Sequence, residues 1–320
     1  MYSDCCDQQM KPIEKENLRA MAIALSGASA AGIVRPVEVS DAAVSIRSKW
    51  IEDGCHAGMD YLTKYDEVRR DPRLLLDGAA TMVVGLFDYS NGGMDGTPRI
   101  AEYALGRDYH LEVRARLETF GRRLSEEFGG EFRVVVDTAP LRERYWAVRS
   151  GLGVIGLNAQ LIRPGHGSHY FIGTLLWTGQ FEGEDDSQMS APDAVGCDRC
   201  GRCVSACPVG ALDGSGRLDA RKCLSFLTIE SREPLPAGTP LGDRLFGCDT
   251  CRLVCPHENH EDRTPIEAFK AREATLELTE DDWLTMPPER FRELFRDSAV
   301  KRTKLDRLRA IVEYLRLGES

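Results

Sequence analysis

Apolar residues recur every three to four positions across Lys15–Ser26 and Asp41–Gly54, which predicts two amphipathic helices. Ala101–Phe128 repeats that period over a longer span and ends at Gly129-Gly130, a helix stop. Three other runs are β-branched or aromatic and of strand length: Thr81–Tyr89, Glu131–Asp137 and His169–Trp177. Pro140 opens a short helix after the second of these. Glu182–Asp193 is acidic and polar, and reads as an exposed linker. Residues 261–320 return to a helical, partly basic pattern. The expected fold is therefore mixed, α+β or α/β. We divide it into a domain at 1–182, a cysteine-rich unit at 183–260 and a helical segment at 261–320.

Composition changes this picture little. The chain has 320 residues, 42% hydrophobic and 29% charged, with a net charge of −10. That balance argues against a protein that coats nucleic acid generally, though not against a local basic patch. One such patch is visible: Glu289–Arg316 holds nine Lys/Arg (290, 292, 296, 301, 302, 304, 307, 309, 316) against five acids. Arg142, Arg144 and Arg149 form a second group. No run is long and apolar enough to cross a bilayer, and the first residues lack the layout of a secretory signal, so a cytoplasmic protein is expected.

Cysteine changes it most. Eight of the eleven cysteines lie between Cys197 and Cys255; Cys5, Cys6 and Cys55 lie outside. Cys197, Cys200, Cys203 and Cys207-Pro208 follow the C-x2-C-x2-C-x3-C-P run of bacterial ferredoxins. Cys248, Cys251 and Cys255-Pro256 repeat its second half, and Cys223 stands alone between. Eight thiolates are what two 4Fe–4S clusters require. The fourth cysteine of each run ligates the other cluster, which gives Cys197, Cys200, Cys203 and Cys255 for one, and Cys207, Cys223, Cys248 and Cys251 for the other. Two structural zinc sites are the alternative, but zinc ribbons usually offer paired CxxC motifs.

Asp137–Gly173 is the densest stretch elsewhere. A strand ends at Asp137, and Gly151, Gly153 and Gly156 punctuate an apolar loop where backbone can approach a bulky ligand. A helix before these glycines and none after them argue against a dinucleotide fold. Asp137 is a candidate proton donor if burial raises its pKa, or else a turn residue.

Taken together, these residues resemble the epoxyqueuosine reductases of tRNA queuosine synthesis. The likeness rests on Gly58-Met59-Asp60-Tyr61-Leu62 with Arg70-Asp71-Pro72, and on Tyr103-Ala104 with Gly106-Arg107-Asp108-Tyr109-His110. It continues in Asp137-Thr138-Ala139-Pro140, in the Gly151–Asn158 loop and in the eight cysteines. The resemblance implies an N-terminal domain that binds base-off cobalamin beside a ferredoxin-like two-cluster unit. It implies reduction of epoxyqueuosine at the wobble position of a tRNA anticodon stem-loop, with Asp137 as proton donor. Asp108 and His110 match polar positions on the substrate side, Ser225 and Asp249 positions near the corrinoid, and Asn158 and Leu161 the loop packed against it. An external donor of flavodoxin or ferredoxin type, a monomeric state and no membrane partner complete the expectation. Leu157 stands where many members carry Lys or Arg, and many continue into a helical-repeat tail. With less surface for RNA, Arg290–Arg316 and Arg142/Arg144/Arg149 are the candidate contacts. A reductive dehalogenase-like enzyme and a two-cluster electron carrier are the rival readings.

Overall fold

A computed structural model describes residues 10–94, 96, 98–187, 196–258 and 263–318. Cys5 and Cys6 lie outside these residues. The N-terminal part is built on helices α1 (Lys15–Ser26), α2 (Asp41–Glu52), α3 (Tyr109–Phe128) and α4 (Glu143–Arg149), and on strands β1 (Ala30–Val34), β2 (Thr81–Asp88), β3 (Phe132–Val135) and β4 (Tyr170–Trp177). The strands form one sheet in the order β1-β2-β4-β3, antiparallel throughout, so the α+β form of the expected fold is the one adopted.

All eight residues of β2 are buried because both faces of the sheet are covered. Alternation sorts them. Val83 and Phe87, with Leu175 and Trp177 of β4, face α1 and α3 through Leu18, Ala22, Val113, Leu117, Phe120 and Leu124. Met82, Val84 and Leu86, with Leu176, face α4 and its loops through Leu141, Trp146, Ala147, Leu152 and Leu161. Each such side chain contributes roughly 1.5–3 kcal/mol on leaving water.

Three local expectations are corrected. The long helix begins at Tyr109, not Ala101, with Asp108 as its cap. Gly106 explains the break, since a Cβ there would lie 2.7 Å from the Phe269 backbone. The short helix begins at Glu143, because residues 137–141 form tight turns (Thr138 N to Val136 O, 2.5 Å; Leu141 N to Ala139 O, 2.7 Å). The acidic segment is anchored at its start: Asp186 binds Lys15 (3.0 Å), Arg19 (2.8 Å) and Ile33 N (2.7 Å). Gln188–Asp193 lies outside the described residues.

A third core joins three stretches of chain. Ile100, Ala104 and Leu105 meet Leu224, Ile229, Leu245 and Phe246 of the cysteine-rich unit. The same core takes Trp283, Phe291, Phe295, Leu308, Ile311 and Val312 from helices α8 (Glu280–Thr285), α9 (Pro288–Phe295) and α10 (Leu305–Gly318), counting as α5, α6 and α7 Arg202–Ala206, Leu224–Ile229 and Thr250–Leu253. Trp50 adds a tie from α2, donating to Leu218 O at 2.6 Å. No helix among the described residues is long and apolar enough to cross a membrane.

Candidate active site

The edge strand β3 leads into Asp137, whose φ of +49° is left-handed. For an L-residue that conformation costs about 1–2 kcal/mol, so neighbouring contacts must hold it. Glu143, at the start of α4, accepts the Asp137 N–H at 2.6 Å. The Asp137 carboxylate meets His110 Nε2 at 2.9 Å. His110 sits in the first turn of α3, and its Nδ1 meets Asp108 Oδ1 at 2.7 Å. Asp108 is buried, caps α3 through the His110 N–H (3.1 Å), and binds Lys301 at 3.0 Å. Charges thus alternate along Lys301, Asp108, His110 and Asp137.

This chain of contacts overturns the expected source of acidity at Asp137. Burial raises its pKa, but the His110 hydrogen bond and charge outweigh it and hold the carboxyl below its ordinary value. The proton resides on neighbours. Burial opposes charge on His110, yet Asp108 and Asp137 raise it to about 9. Burial and the Asp137 charge push Glu143 up to about 8. Burial would also raise Asp108, but His110 and Lys301 bring it to about 2. His110 therefore adds stability that is full below its unfolded value of ~6.5 and is lost as pH rises through about 9. Asp108 adds stability present above 3.8 and lost as pH falls through about 2. Turnover is expected to hold between about pH 6 and 8 and to fall above about 9 as His110 deprotonates. A pH–rate profile checks this, and His110→Gln should remove that alkaline limb.

The cysteines separate into two sets. Cys197, Cys200, Cys203 and Cys255 line one cavity of about 300 Å³, walled by Leu157, Asn158, Ile162 and His257. Cys223 interacts with Cys248 and Cys207, and Cys251 with Cys248 and Cys223. Cys251 also senses Cys203, so the sets are neighbours. Among the described residues, no three Cys, His, Asp or Glu converge as ligands of a single ion. Burial chiefly, then neighbouring thiols, pushes Cys251 to about 12, so ionisation there is coupled to metal binding. Ala211 N donates to Cys207 Sγ at 3.3 Å, a contact of the kind that tunes cluster potential.

Between the modules lies a buried ionic network that the sequence reading missed. Arg252 binds Glu102 and Glu258, and its Nε is 3.6 Å from Asp249. Glu258 accepts from His169 Nδ1 at 2.9 Å, and His169 Nε2 lies 3.8 Å from Asp88. Asp249 accepts the Glu102 N–H at 2.8 Å. Arg252 and Glu258 flank cluster cysteines, whereas Glu102, Asp88 and His169 belong to the sheet domain. No spacing links those residues, so only folding could reveal them. Glu143 and Lys301 were missed for the same reason.

The remaining predicted positions divide. The Tyr103 phenol is raised chiefly by its own burial and then by the charges of Asp249 and Glu230, and Asp249 accepts the Glu102 N–H beside it at 2.8 Å. Ser225 opens α6 beside Cys223, and its N–H faces that thiol. Asn158 instead lines the first thiol cavity, 3.5 Å from Cys251 O, and Leu161 is packed in the core under α4. The glycine loop folds back on itself: a Cβ at Gly153 would lie 2.4 Å from Ile162 O. Leu157 is buried beside Asn158, so no ionic contact arises there. His257 lines the cavity rather than standing in solvent, 3.4 Å from Asp198; His260 lies outside the described residues.

Comparison with known proteins decides the family. Residues 196–258 match a 4Fe-4S double cluster binding domain, and residues 69–138 match Epoxyqueuosine reductase QueG, DUF1730. The epoxyqueuosine reductase of Cellulophaga algicola is 33% identical over 273 residues, covering 84% of this chain and 87% of the relative. The chain belongs to the epoxyqueuosine reductase family. The Cyclobacterium marinum epoxyqueuosine reductase is 34% identical over 83% of this chain and 86% of its own length. An epoxyqueuosine reductase crystallised with an epoxyqueuosine-modified tRNA-Tyr stem-loop superposes with a TM-score of 0.80 at 26% identity, covering 93% of this chain and 80% of that one. The Bacillus subtilis epoxyqueuosine reductase, solved with its catalytic aspartate loop swung out of the active site, gives 0.78 at 25% identity over the same shares. An epoxyqueuosine reductase is an oxidoreductase, which replaces the dehalogenase-like and electron-carrier readings.

Proposed function

We propose that this chain removes the epoxide oxygen of epoxyqueuosine at the wobble position of a tRNA anticodon, giving queuosine, with Asp137 delivering a proton held on His110. The reaction takes two electrons and two protons, breaks both C–O bonds, and leaves a C=C bond and water. The observation that carries this reading is the Asp108–His110–Asp137 relay, in a chain whose eight clustered cysteines supply ligands for two 4Fe–4S clusters. His110 stores one proton, Asp137 presents it at the half-exposed mouth, and solvent supplies the other. Asp108 and Lys301 hold the imidazole in place from beneath. Glu143 keeps the Asp137 backbone in its left-handed turn.

Base-off cobalamin, when bound, would supply a strongly reducing cobalt centre fed singly with electrons from the 4Fe–4S clusters. Its place would be bordered by Tyr103, Asp249 and Ser225. We assign cobalamin binding to residues 1–182, the clusters to 183–260 and support of the relay to 261–320. A cytoplasmic monomer reduced by an external flavodoxin- or ferredoxin-type donor fits this division. The test is conversion of epoxyqueuosine in an isolated tRNA stem-loop by protein loaded with iron and cobalamin under a chemical reductant. Product queuosine is expected, and none from protein lacking either cofactor; turnover without cobalamin would overturn its role.

A further inference from the structure

The basic patches suggested by the sequence are largely spent inside the molecule. Of the nine cations in Glu289–Arg316, six pair with carboxylates: Arg290 with Glu293, Arg292 with Glu289, Lys301 with Asp108, Arg302 with Glu230, Arg309 with Asp306 and Arg316 with Glu280. Arg307 donates to Leu227 O. Arg144 donates to Ala159 O, and Arg149 lies over the Trp146 ring.

Another group of arginines, around residues 60–70, also rests chiefly on backbone carbonyls. Arg69 donates to the carbonyls of Lys64 (3.1 Å) and Tyr61 (3.2 Å), Arg47 to that of Leu62, and Arg142 to that of Ala43 (2.8 Å). Asp66 pairs with Arg47 at 2.6 Å, but among the described residues no carboxylate pairs with Arg69 or Arg142. Asp60 and Glu67, in the same segment, pair with none of the three. The strain of this arrangement registers on Arg142, brought down to about 10 by burial and then by the like charges of Arg47 and Arg69. Guanidiniums bonded only to carbonyls keep their full charge and are matched to an anion.

Arg47 and Arg69 brace the turn Asp60–Thr63 and the left-handed Tyr65 that follows it, while Arg142 is tied to α2. The braced turn displays two aromatic rings, Tyr61 at 47% and Tyr65 at 68% exposure. Arg302 sits 5.9 Å from the Tyr61 ring, and the Tyr61 phenol senses, after burial, Glu230, Arg302 and Asp137. The neighbour of Arg302, Lys301, binds Asp108 of the His110–Asp137 chain at 3.0 Å, so the turn lies on that side of the molecule. Exposed rings backed by cations suit single-stranded RNA, whose bases stack while its phosphates pair.

We propose that the Asp60–Tyr65 turn, with Arg69 and Arg142, is the RNA-gripping edge of this enzyme, Tyr61 and Tyr65 stacking on unpaired bases beside the nucleotide that enters towards Asp137. This rests on the reading of the site as one that acts on tRNA. The probe is a fluorescent, unmodified anticodon stem-loop RNA, titrated against cluster-loaded protein at several salt concentrations. Tyr65→Ala should weaken binding about 5- to 100-fold, and Tyr65→Phe should restore it. Arg69→Gln should reduce the slope of log K against log[salt] by about one, and Arg290→Gln should change neither quantity. Unaltered iron content shows that each variant is folded. If Tyr65→Ala and Arg69→Gln bind like the parent while the parent converts an epoxyqueuosine stem-loop, the surface is wrong and the function stands. A parent that binds the unmodified RNA through these residues yet converts no epoxyqueuosine leaves the surface standing and overturns the function. A parent that binds no RNA overturns both.

Discussion

Asp137→Asn is expected to lower turnover of an epoxyqueuosine stem-loop by about 10²–10⁴-fold, the range for losing a positioned general acid. The amide preserves shape and can still meet His110 Nε2, now 2.9 Å from the carboxylate, but it cannot pass a proton on. The thiol sets are built from other segments, so iron content and RNA affinity should be unchanged and the loss should fall on kcat. Single-turnover rates in the variant, measured with iron and cobalamin quantified, check this. Undiminished turnover would remove Asp137 from the chemistry and leave His110 as the direct donor to be tested.

The second large effect is structural. Arg252→Met should destabilise the protein by about 3–5 kcal/mol, because it removes the cation shared by buried Glu102 and Glu258 and faced by Asp249. Three carboxylates would then lie near one another, with His169, bound to Glu258 at 2.9 Å, as the remaining partner on one of them. Because Arg252 is one residue from Cys251 and joins the sheet domain to the cluster unit, loosening there should also slow electron delivery. Denaturant unfolding followed by circular dichroism, with iron retention along the curve, measures both effects. A midpoint equal to that of the parent would mean that the network relaxes or admits water. Combined with Glu102→Gln, the loss should be smaller than the sum of the single losses, since the two share one contact.

Local chemistry was legible wherever residues close in sequence act together. The helix at Lys15–Ser26 was placed correctly because its apolar stripe and Gly27 stop are both local. The thiol spacing specified two clusters because x2 and x3 separations force sulfurs onto one face of a tight loop. The failures came where distant contacts decide. The helix start moved to Tyr109 because Gly106 is pressed against the 267–269 turn, which is 160 residues away in sequence. Asn158 reaches Cys251 O across 93 residues of sequence, a contact that no local spacing announces.

By itself, then, the sequence determined three of the sheet's four strands, the long helices up to their starts, the two-cluster chemistry and the family, whereas strand Ala30–Val34 emerged only in the fold. Each depends on residue types at short, invariant separations that survive without any knowledge of packing. The tertiary structure alone decided where the protons and charges reside. Asp137 is held as a carboxylate and His110 as its proton store because a strand end, a helix start and Lys301 meet in space. Six cations of the basic C-terminal run are paired with carboxylates, and Arg69 and Arg142 rest on carbonyls, for the same reason: charge is set by the partner across the gap, and that partner is chosen only when the chain folds.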